Sequence, residues 1–217
     1  MNLFSLKKTV KKDTPNLPFE SNDNDASTKK EENPVIEILR FSILALIIVL
    51  PVRWFVAQPF IVSGASMETT FHNNEYLIVD QLTYHFDTPE RGDVIIFRYP
   101  KDISKFFIKR VIGIPGDTIN IDGSVVTLSN ETHPEGVALP EPYVHKMEQG
   151  VFLEETLGDG EYYVMGDNRD ASSDSRMWGI LQEDKIVGRA LVRLFPVNEM
   201  DLFPGWNDIN QTLADAE

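Results

Sequence analysis

The chain contains no cysteine among its 217 residues, and it has only four histidines. Without cysteine it cannot form disulfide bonds, and thiols give no indication of its redox compartment. Its 34 aspartates and glutamates outnumber 20 lysines and arginines, so the formal net charge is −14. That balance argues against nucleic-acid binding, which needs a basic surface to neutralise phosphates. With 42% hydrophobic residues, the chain is long enough for one domain of ordinary size.

Residues 1–34 are dominated by charged and polar residues and prolines, and we predict that they are disordered. Apolar residues then dominate the segment 36–57, whose roughly 22 residues reach across a ~30 Å hydrocarbon layer as a helix if its terminal arginines extend to the headgroups. A buried helix of a soluble protein is one alternative, but it would show polar residues every third or fourth position. A cleavable signal peptide is another, but it would begin nearer the N-terminus and precede a small-x-small site.

The lysines and arginines around the apolar segment predict its orientation. Six lysines precede it, whereas no lysine or arginine follows Arg53 until Arg91. Because positive residues remain on the cytoplasmic side, the N-terminus is predicted to be cytoplasmic, with Trp54 at the interface and the chain from about Gln58 onward outside. The expected organisation is a cytoplasmic segment (1–34), a transmembrane helix (36–57), an extracytoplasmic domain (58–200) and a C-terminal tail (201–217).

Short segments rich in β-branched and aromatic residues follow, bounded by Gly, Pro or Asn. We predict strands at 75–80, 93–99, 106–113, 161–165 and 185–195, and a hairpin over 117–128 that turns at Asp122-Gly123. The stretch 133–158 has no recognisable motif. The predicted fold is mostly β, an antiparallel, partly closed β-domain anchored by one N-terminal transmembrane helix.

A serine and a lysine are the candidates for nucleophilic catalysis. A serine needs a base as it attacks, and no histidine stands in a recognisable constellation with a serine and a carboxylate, although triad partners need not be close in sequence. Lys109 lies in an apolar strand and shares a face with Phe107 and Val111, where burial would lower its pKa toward that of a general base. A lysine on the solvent face of an edge strand is the alternative. Ser66, likewise, could stand in a simple turn.

Three ordered blocks carry a resemblance to a known family: 62–70 around Ser66-Met67, 107–117 around Lys109-Arg110, and 165–176. Together with 91–97 and 187–190 they resemble signal peptidase I, the bacterial leader peptidase family, over residues 36 to 196. The resemblance implies that Ser66 is the nucleophile and Lys109 its general base. It also implies that Ser172 hydrogen-bonds the lysine and holds its rotamer.

The resemblance implies further site residues. The backbone N–H of Ser66 is expected to stabilise the oxyanion without a side-chain donor, because Gly64 stands where some members have a serine. We expect an ion-pair scaffold around the dyad, and the alternative is that these charged residues form a solvated loop. We also expect small apolar pockets that admit alanine. The scaffold would comprise Arg110, Asp167, Arg169, Asp174 and Arg176, and the pockets would be lined by Phe60, Val62, Phe71, Leu77, Ile96, Phe107 and Ile108.

Two positions depart from the family pattern. Thr69 replaces the proline of the usual Ser-Met-x-Pro-Thr, and Ala171 replaces an asparagine beside Ser172. Neither change removes a chemical group from the serine–lysine dyad, but both affect the rigidity of the loops around it.

The implied function is a membrane-anchored serine endopeptidase that removes signal peptides after small residues, of Ala-x-Ala type, through an acyl-enzyme, without metal or cofactor. Expected partners are the signal peptides of exported preproteins and the lipid bilayer, with no nucleic acid, and we expect a monomer in the bacterial cytoplasmic membrane. One alternative is a catalytically impaired scaffold relative. A self-cleaving repressor with a similar dyad is disfavoured by the membrane segment, the acidic charge and the lack of a DNA-binding helix pair.

Overall fold

The computed structural model describes residues 34–51, 53, 57–144 and 151–214, with only the backbone at 211, 212 and 214. The described residues fall into two units, divided between Ser42 and Ile43. Helix α1, Pro34–Pro51, has a mean hydropathy of 2.2 and no buried residue. Its 18 residues extend about 27 Å, which is long and apolar enough to cross a membrane. Of the segment 1–34 predicted to be disordered, 1–33 lie outside the described residues, as does Trp54, and Pro34 belongs to α1. The helix was predicted over 36–57, but Ala57 belongs to a strand.

The remainder of the described chain is built mainly of short strands, with two short helices. The helices are α2, Ser175–Trp178, and α3, Ile209–Ala214. In chain order the strands are β1 Ala57–Ile61, β2 Tyr76–Asp80, β3 Val94–Tyr99, β4 Asp102–Gly113, β5 Thr118–Gly123, β6 Val125–Ser129, β7 Val137–Ala138, β8 Val151–Thr156, β9 Glu161–Met165, β10 Leu181–Gln182, β11 Ile186–Phe195 and β12 Asp201–Leu202.

The strands form two antiparallel sheets. The larger has the order β1-β2-β11-β3-β4-β9-β10, with β12 beside β11, and the smaller has the order β7-β6-β5-β8. The predicted mostly β, antiparallel fold with an apolar N-terminal helix is confirmed, and across the described residues both sheets remain open. Each predicted strand is present, and the predicted hairpin is β5–β6, where Asp122 pairs with Val125.

The strands that the sequence did not predict are short or atypical in composition. Strand β1 contains Pro59, which lacks a ladder donor, and β1 pairs only with β2 among the described strands, as an edge strand with proline does. Strand β8 lies in the stretch 133–158 that carried no motif.

Strand β3 is central because both of its faces are buried. Val94 and Ile96 pack into one apolar cluster with Phe71, whereas Ile95 and Phe97 pack into another. The neighbouring strand β4 pairs with this buried strand, which places Lys109 opposite Ile95.

Residues 201–214, which we assigned from sequence to a tail, pack with the β-domain. Strand β12 pairs with β11, and α3 buries Ile209 and Leu213 in a cluster with Ile112 and Ile119. The packed part of the domain therefore extends to Leu213.

Candidate active site

Ser66 lies in the turn segment between β1 and β2. The next residue, Met67, is buried in the core with Phe71, whose backbone N–H donates to the Met67 carbonyl at 2.8 Å. Gly64 has a φ of 101°, a conformation that residues with a Cβ rarely adopt. The buried methionine and the glycine thus hold the turn so that Ser66 lines an open cleft.

Lys109 lies on β4 beside this turn. Its Nζ is 2.7 Å from Ser66 Oγ and 2.8 Å from the carbonyl oxygen of Ile108. Only 3% of the residue is exposed, and Nζ lies 5.4 Å from the centroid of the Phe107 ring. The lysine is therefore buried on the apolar face predicted from the strand pattern, and it does not extend into solvent.

Burial lowers the pKa of Lys109 from 10.5 to about 8, because desolvation disfavours the ammonium form. The charges of Asp174 and Asp167 act in the opposite direction, since a nearby carboxylate favours the ammonium. With a pKa of about 8, about a tenth of the lysine is neutral at pH 7. A neutral amine at hydrogen-bond distance from a hydroxyl has the geometry and the basicity of a general base.

Ser172 lies close to the nucleophile turn but does not bond to the lysine. Its Oγ is buried and, within the described residues, makes no hydrogen bond of normal geometry, but it lies near enough to the Asp174 carboxylate to help lower the pKa of Asp174. The hydrogen bond to Lys109 that the resemblance implies is thus not formed, because Lys109 Nζ instead contacts Ser66 and the Ile108 carbonyl. A Cβ at Gly166 would lie 2.3 Å from Ser172 Oγ, so the glycine makes room for this side chain.

Arg110 and Asp167 form a buried ion pair next to the dyad. Arg110 Nε donates to Asp167 Oδ1 at 2.9 Å and Nη2 donates to Oδ2 at 2.6 Å. Arg110 Nη1 also donates to the carbonyls of Gly92, at 2.8 Å, and Gly205, at 2.5 Å. Thr70, four residues after Ser66, donates from Oγ1 to Asp167 Oδ2 at 2.5 Å. The pair therefore connects β4 to the nucleophile turn and to the loop after β9.

Asp174 is also buried, and it accepts two hydrogen bonds from the side chain of Arg176, from Nε at 2.8 Å and from Nη2 at 2.9 Å. The Gly166 N–H donates to Asp174 Oδ2 at 3.0 Å. Burial by itself would raise the pKa of Asp174, but the hydrogen bonds and charge of Arg176, with the Gly166 N–H, hold it below its ordinary value. The carboxylate therefore stays ionised close to Lys109.

Two residues of the stretch 133–158 complete the charged scaffold. Glu141 forms a two-point ion pair with Arg169, which is buried and also donates from Nε to the Gly166 carbonyl at 3.1 Å. The Tyr143 ring lies 3.9 Å from the guanidinium carbon of Arg110. The charged block is therefore a packed network and not a solvated loop. Sequence reasoning missed Glu141 and Tyr143 because no motif marks them.

Asn168 binds the nucleophile turn directly. Its backbone N–H donates to the Ser66 carbonyl at 3.1 Å, and its Nδ2 donates to the Ala65 carbonyl at 3.0 Å. Sequence reasoning singled out neither Asn168 nor Thr70, although both lie inside the motif blocks. Both residues stand next to or between proposed site residues in the sequence, and that position could have identified them as candidates.

The cleft beside the dyad has a volume of about 490 Å³. Of the predicted pocket residues, six line this cleft, namely Phe60, Val62, Leu77, Ile96, Phe107 and Ile108. The prediction for Phe71 was wrong, because its ring is fully buried in the core beside Met67 and does not reach the cleft. Across the described ranges there is also no group of three or more His, Asp or Glu side chains that could hold a metal ion.

Comparison with known proteins gives consistent matches. The family model for signal peptidase, peptidase S26, matches residues 35–195. Signal peptidase I of Leptolyngbya laminosa is 35% identical over 81% of this chain and 87% of its own length. Probable signal peptidase I-1 of Synechocystis is 36% identical over 78% of this chain and 84% of its own. Signal peptidase I T of Bacillus subtilis is 34% identical over 83% of this chain and 96% of its own.

Proposed function

The chain belongs to the peptidase S26 family of signal peptidases, and we propose that it cleaves signal peptides after small residues with Ser66 as nucleophile and Lys109 as general base. Membership makes the chain a serine endopeptidase whose substrates are signal peptides. The observation that carries the residue assignment is the 2.7 Å separation between Ser66 Oγ and the buried Lys109 Nζ at the cleft.

The proposed reaction uses Lys109 twice as a base and twice as an acid. Ser66 Oγ attacks the carbonyl carbon of the scissile peptide bond while neutral Nζ accepts the hydroxyl proton. The carbon–nitrogen bond breaks as the ammonium protonates the leaving amine, which leaves an ester on Ser66. A water molecule then loses a proton to Nζ and attacks the ester, and the second collapse returns the proton to Ser66 Oγ.

The backbone N–H of Ser66 is the proposed donor to the oxyanion of both tetrahedral intermediates. Within the described part of the chain it donates no hydrogen bond that would have to be broken. The Gly64 N–H is committed to Asn73 Oδ1 at 3.0 Å, and Gly64 has no side chain to contribute. The bonds from Asn168 to the Ser66 and Ala65 carbonyls would fix the direction of the Ser66 N–H, because they hold the peptide groups around it.

Ser172 is proposed to position Lys109 through its placement against the nucleophile turn. Its hydroxyl oxygen would accept a hydrogen bond from Nζ while Nζ carries the proton taken from Ser66, because the buried ammonium then needs an acceptor besides the Ile108 carbonyl. The buried Arg110–Asp167 and Arg176–Asp174 pairs would hold the strand and loop on which the lysine and Ser172 lie.

Selection of small residues would follow from the apolar walls of the cleft. Phe60, Leu77 and Ile96 line the cleft together with the dyad and pack in one apolar cluster, so we propose that a methyl side chain would fit there and a bulky one would meet packed apolar atoms. The first and third residues of the substrate before the scissile bond would therefore be small, as in an Ala-x-Ala site.

The apolar helix α1 supports a membrane anchor for the catalytic domain. We propose that this helix crosses the bacterial cytoplasmic membrane once, with the residues before it in the cytoplasm. The six lysines before the helix support this orientation. The β-domain, from about residue 58 and including the packed residues 201–214, would then act outside the cytoplasm as a monomer and without nucleic acid.

The direct test is incubation of the purified full chain in detergent with a preprotein that carries an Ala-x-Ala site, followed by N-terminal sequencing of the product. We expect cleavage after the second alanine, with kcat/KM reaching half its maximum near pH 8, where Lys109 loses its proton. Ser66→Ala should abolish cleavage, whereas the exposed-turn variant Ser124→Ala should not. Binding of the preprotein without cleavage by the native chain would instead favour a scaffold relative.

A further inference from the structure

The β3–β4 hairpin projects beyond the packed part of the larger sheet. Its turn is Pro100-Lys101, and the four residues of β4 that follow Asp102, from Ile103 to Phe106, are all exposed. Successive residues of a strand point to opposite faces, so four exposed residues in a row mean that both faces of this part of β4 are uncovered. The tip of the hairpin is therefore available to a partner.

The hairpin holds all the exposed basic side chains in the described part of the β-domain. Among residues 57–144 and 151–214, the lysines and arginines that are exposed are Arg98, Lys101 and Lys105, and each of the others is buried or half-buried. Asp102 is the acidic residue among them, and it pairs with Lys105 at 3.1 Å. A local net charge of about +2 in a chain of net charge −14 points to an anionic partner.

Apolar side chains are interleaved with these cations. Ile103 is 60% exposed and Phe106 is 38% exposed. The guanidinium carbon of Arg98 lies 4.9 Å from the centroid of the Phe106 ring, so the aromatic and the cation form one surface. Cations next to exposed isoleucine and phenylalanine suit an interface that offers both phosphates and acyl chains.

The tip is continuous with the cleft and with the start of the β-domain. Lys105 and Phe106 line the cleft, and the Phe106 ring packs edge-to-face on Phe60 of β1 at 5.2 Å. Strand β1 begins six residues after Pro51, the last residue of α1, a length of chain that spans at most about 20 Å. A membrane crossed by α1 would therefore lie within reach of the surface next to the cleft.

We propose that the tip of the β3–β4 hairpin docks on the anionic headgroups of the membrane, through Arg98, Lys101 and Lys105 to lipid phosphates and through Ile103 and Phe106 to the acyl boundary. This rests on the proposed function, because it explains how the cleft meets a substrate whose apolar part lies in the bilayer. Each cation near the surface increases the affinity for an anionic membrane roughly fivefold, and high salt weakens this attraction by screening the charges.

The test uses the full chain reconstituted in vesicles of phosphatidylcholine, with or without a fraction of phosphatidylglycerol. Since the chain has no cysteine, a fluorophore can be attached solely at Ser104→Cys on the tip or, as a control, at Glu131→Cys in an exposed loop. Lipids that carry a headgroup quencher report proximity. We expect stronger quenching at position 104 with phosphatidylglycerol, loss of that gain in high salt, and no dependence on lipid charge at position 131.

Lys101→Gln provides the charge variant because Lys101 does not line the cleft. It should weaken docking roughly fivefold, whereas Val125→Glu, which changes the net charge equally on the other sheet, should leave quenching unchanged. Quenching at position 104 that is independent of lipid charge would overturn the proposal. The proposal would also be overturned if Lys101→Gln changed cleavage of a short soluble peptide but left quenching unchanged, because the hairpin would then recognise the substrate and not the membrane. The fluorescence result does not depend on cleavage, so it separates this proposal from the proposed function.

Discussion

Replacement of Lys109 by methionine is expected to stabilise the folded protein at neutral pH while it abolishes cleavage. Burial lowers the pKa of Lys109 from 10.5 to about 8, so folding disfavours the protonated lysine. At about 1.4 kcal/mol for each tenfold change in proton affinity, that difference corresponds to about 3 kcal/mol. Methionine has a similar volume and no charge, so Lys109→Met should recover most of this free energy of unfolding at pH 7.

The pH dependence of this gain follows from the direction of the shift. Below pH 8 the lysine is protonated in both states and the full penalty is present. Between pH 8 and 10.5 the folded state loses its proton first, so the native protein gains stability relative to the variant. The advantage of Lys109→Met should therefore fall below about 1 kcal/mol by pH 10 and vanish at higher pH.

Urea unfolding of the full chain in detergent, followed by tryptophan fluorescence at pH 7 and pH 10, measures the effect. Taking the difference between native protein and variant at each pH cancels the titration of every group that the two proteins share. Lys101→Met, at an exposed lysine, is the matched control and should show no pH-dependent gain. If Lys109→Met were no more stable than the native protein at pH 7, the buried-lysine account would be wrong.

Three further predictions concern the dyad and the topology. Lys109→Arg should abolish preprotein cleavage because a guanidinium keeps its proton, and a native rate in that variant would exclude the lysine base. Ser172→Ala should lower kcat roughly 10²-fold or more with KM nearly unchanged and the acid limb of the pH profile displaced; a result no different from that of Ser124→Ala would reduce Ser172 to a loop residue. Protease added outside intact spheroplasts should degrade 58–217 and spare 1–34, and the reverse pattern would contradict the lysine-based orientation.

The strands could be predicted from short segments of β-branched and aromatic residues, and the two residues of the dyad could be predicted from the motifs around them. Strand β4 is recognisable because Phe107 and Val111 flank Lys109 at period two. That pattern allowed either a buried or a solvent-facing lysine, and the family resemblance favoured the buried one, which the structure has. The 2.7 Å contact with Ser66 joins residues 43 positions apart, and the family resemblance anticipated it where periodicity could not.

Other parts of the site depend on tertiary packing that leaves no local signal. Glu141 and Tyr143 reach the scaffold from a stretch without motif, so their ion pair and ring contact follow only from the fold. Phe71 fits a pocket by residue type, yet the turn after Ser66 directs it into the core. The family resemblance ends at residue 196, so residues 201–217 are predicted to be a tail, although Ile209 and Leu213 are buried.

The central claim is that a neutral amine at position 109 takes the proton of Ser66, and chemical replacement of that amine tests it most directly. Because the chain has no cysteine, Lys109→Cys introduces a single thiol, which 2-bromoethylamine converts into a lysine analogue with sulfur in place of one methylene. The unmodified variant should be inactive, and aminoethylation should restore cleavage with the acid limb of kcat/KM moved to lower pH, since sulfur makes the amine less basic. Activity in unmodified Lys109→Cys, or restored activity with an unmoved acid limb, would contradict the account.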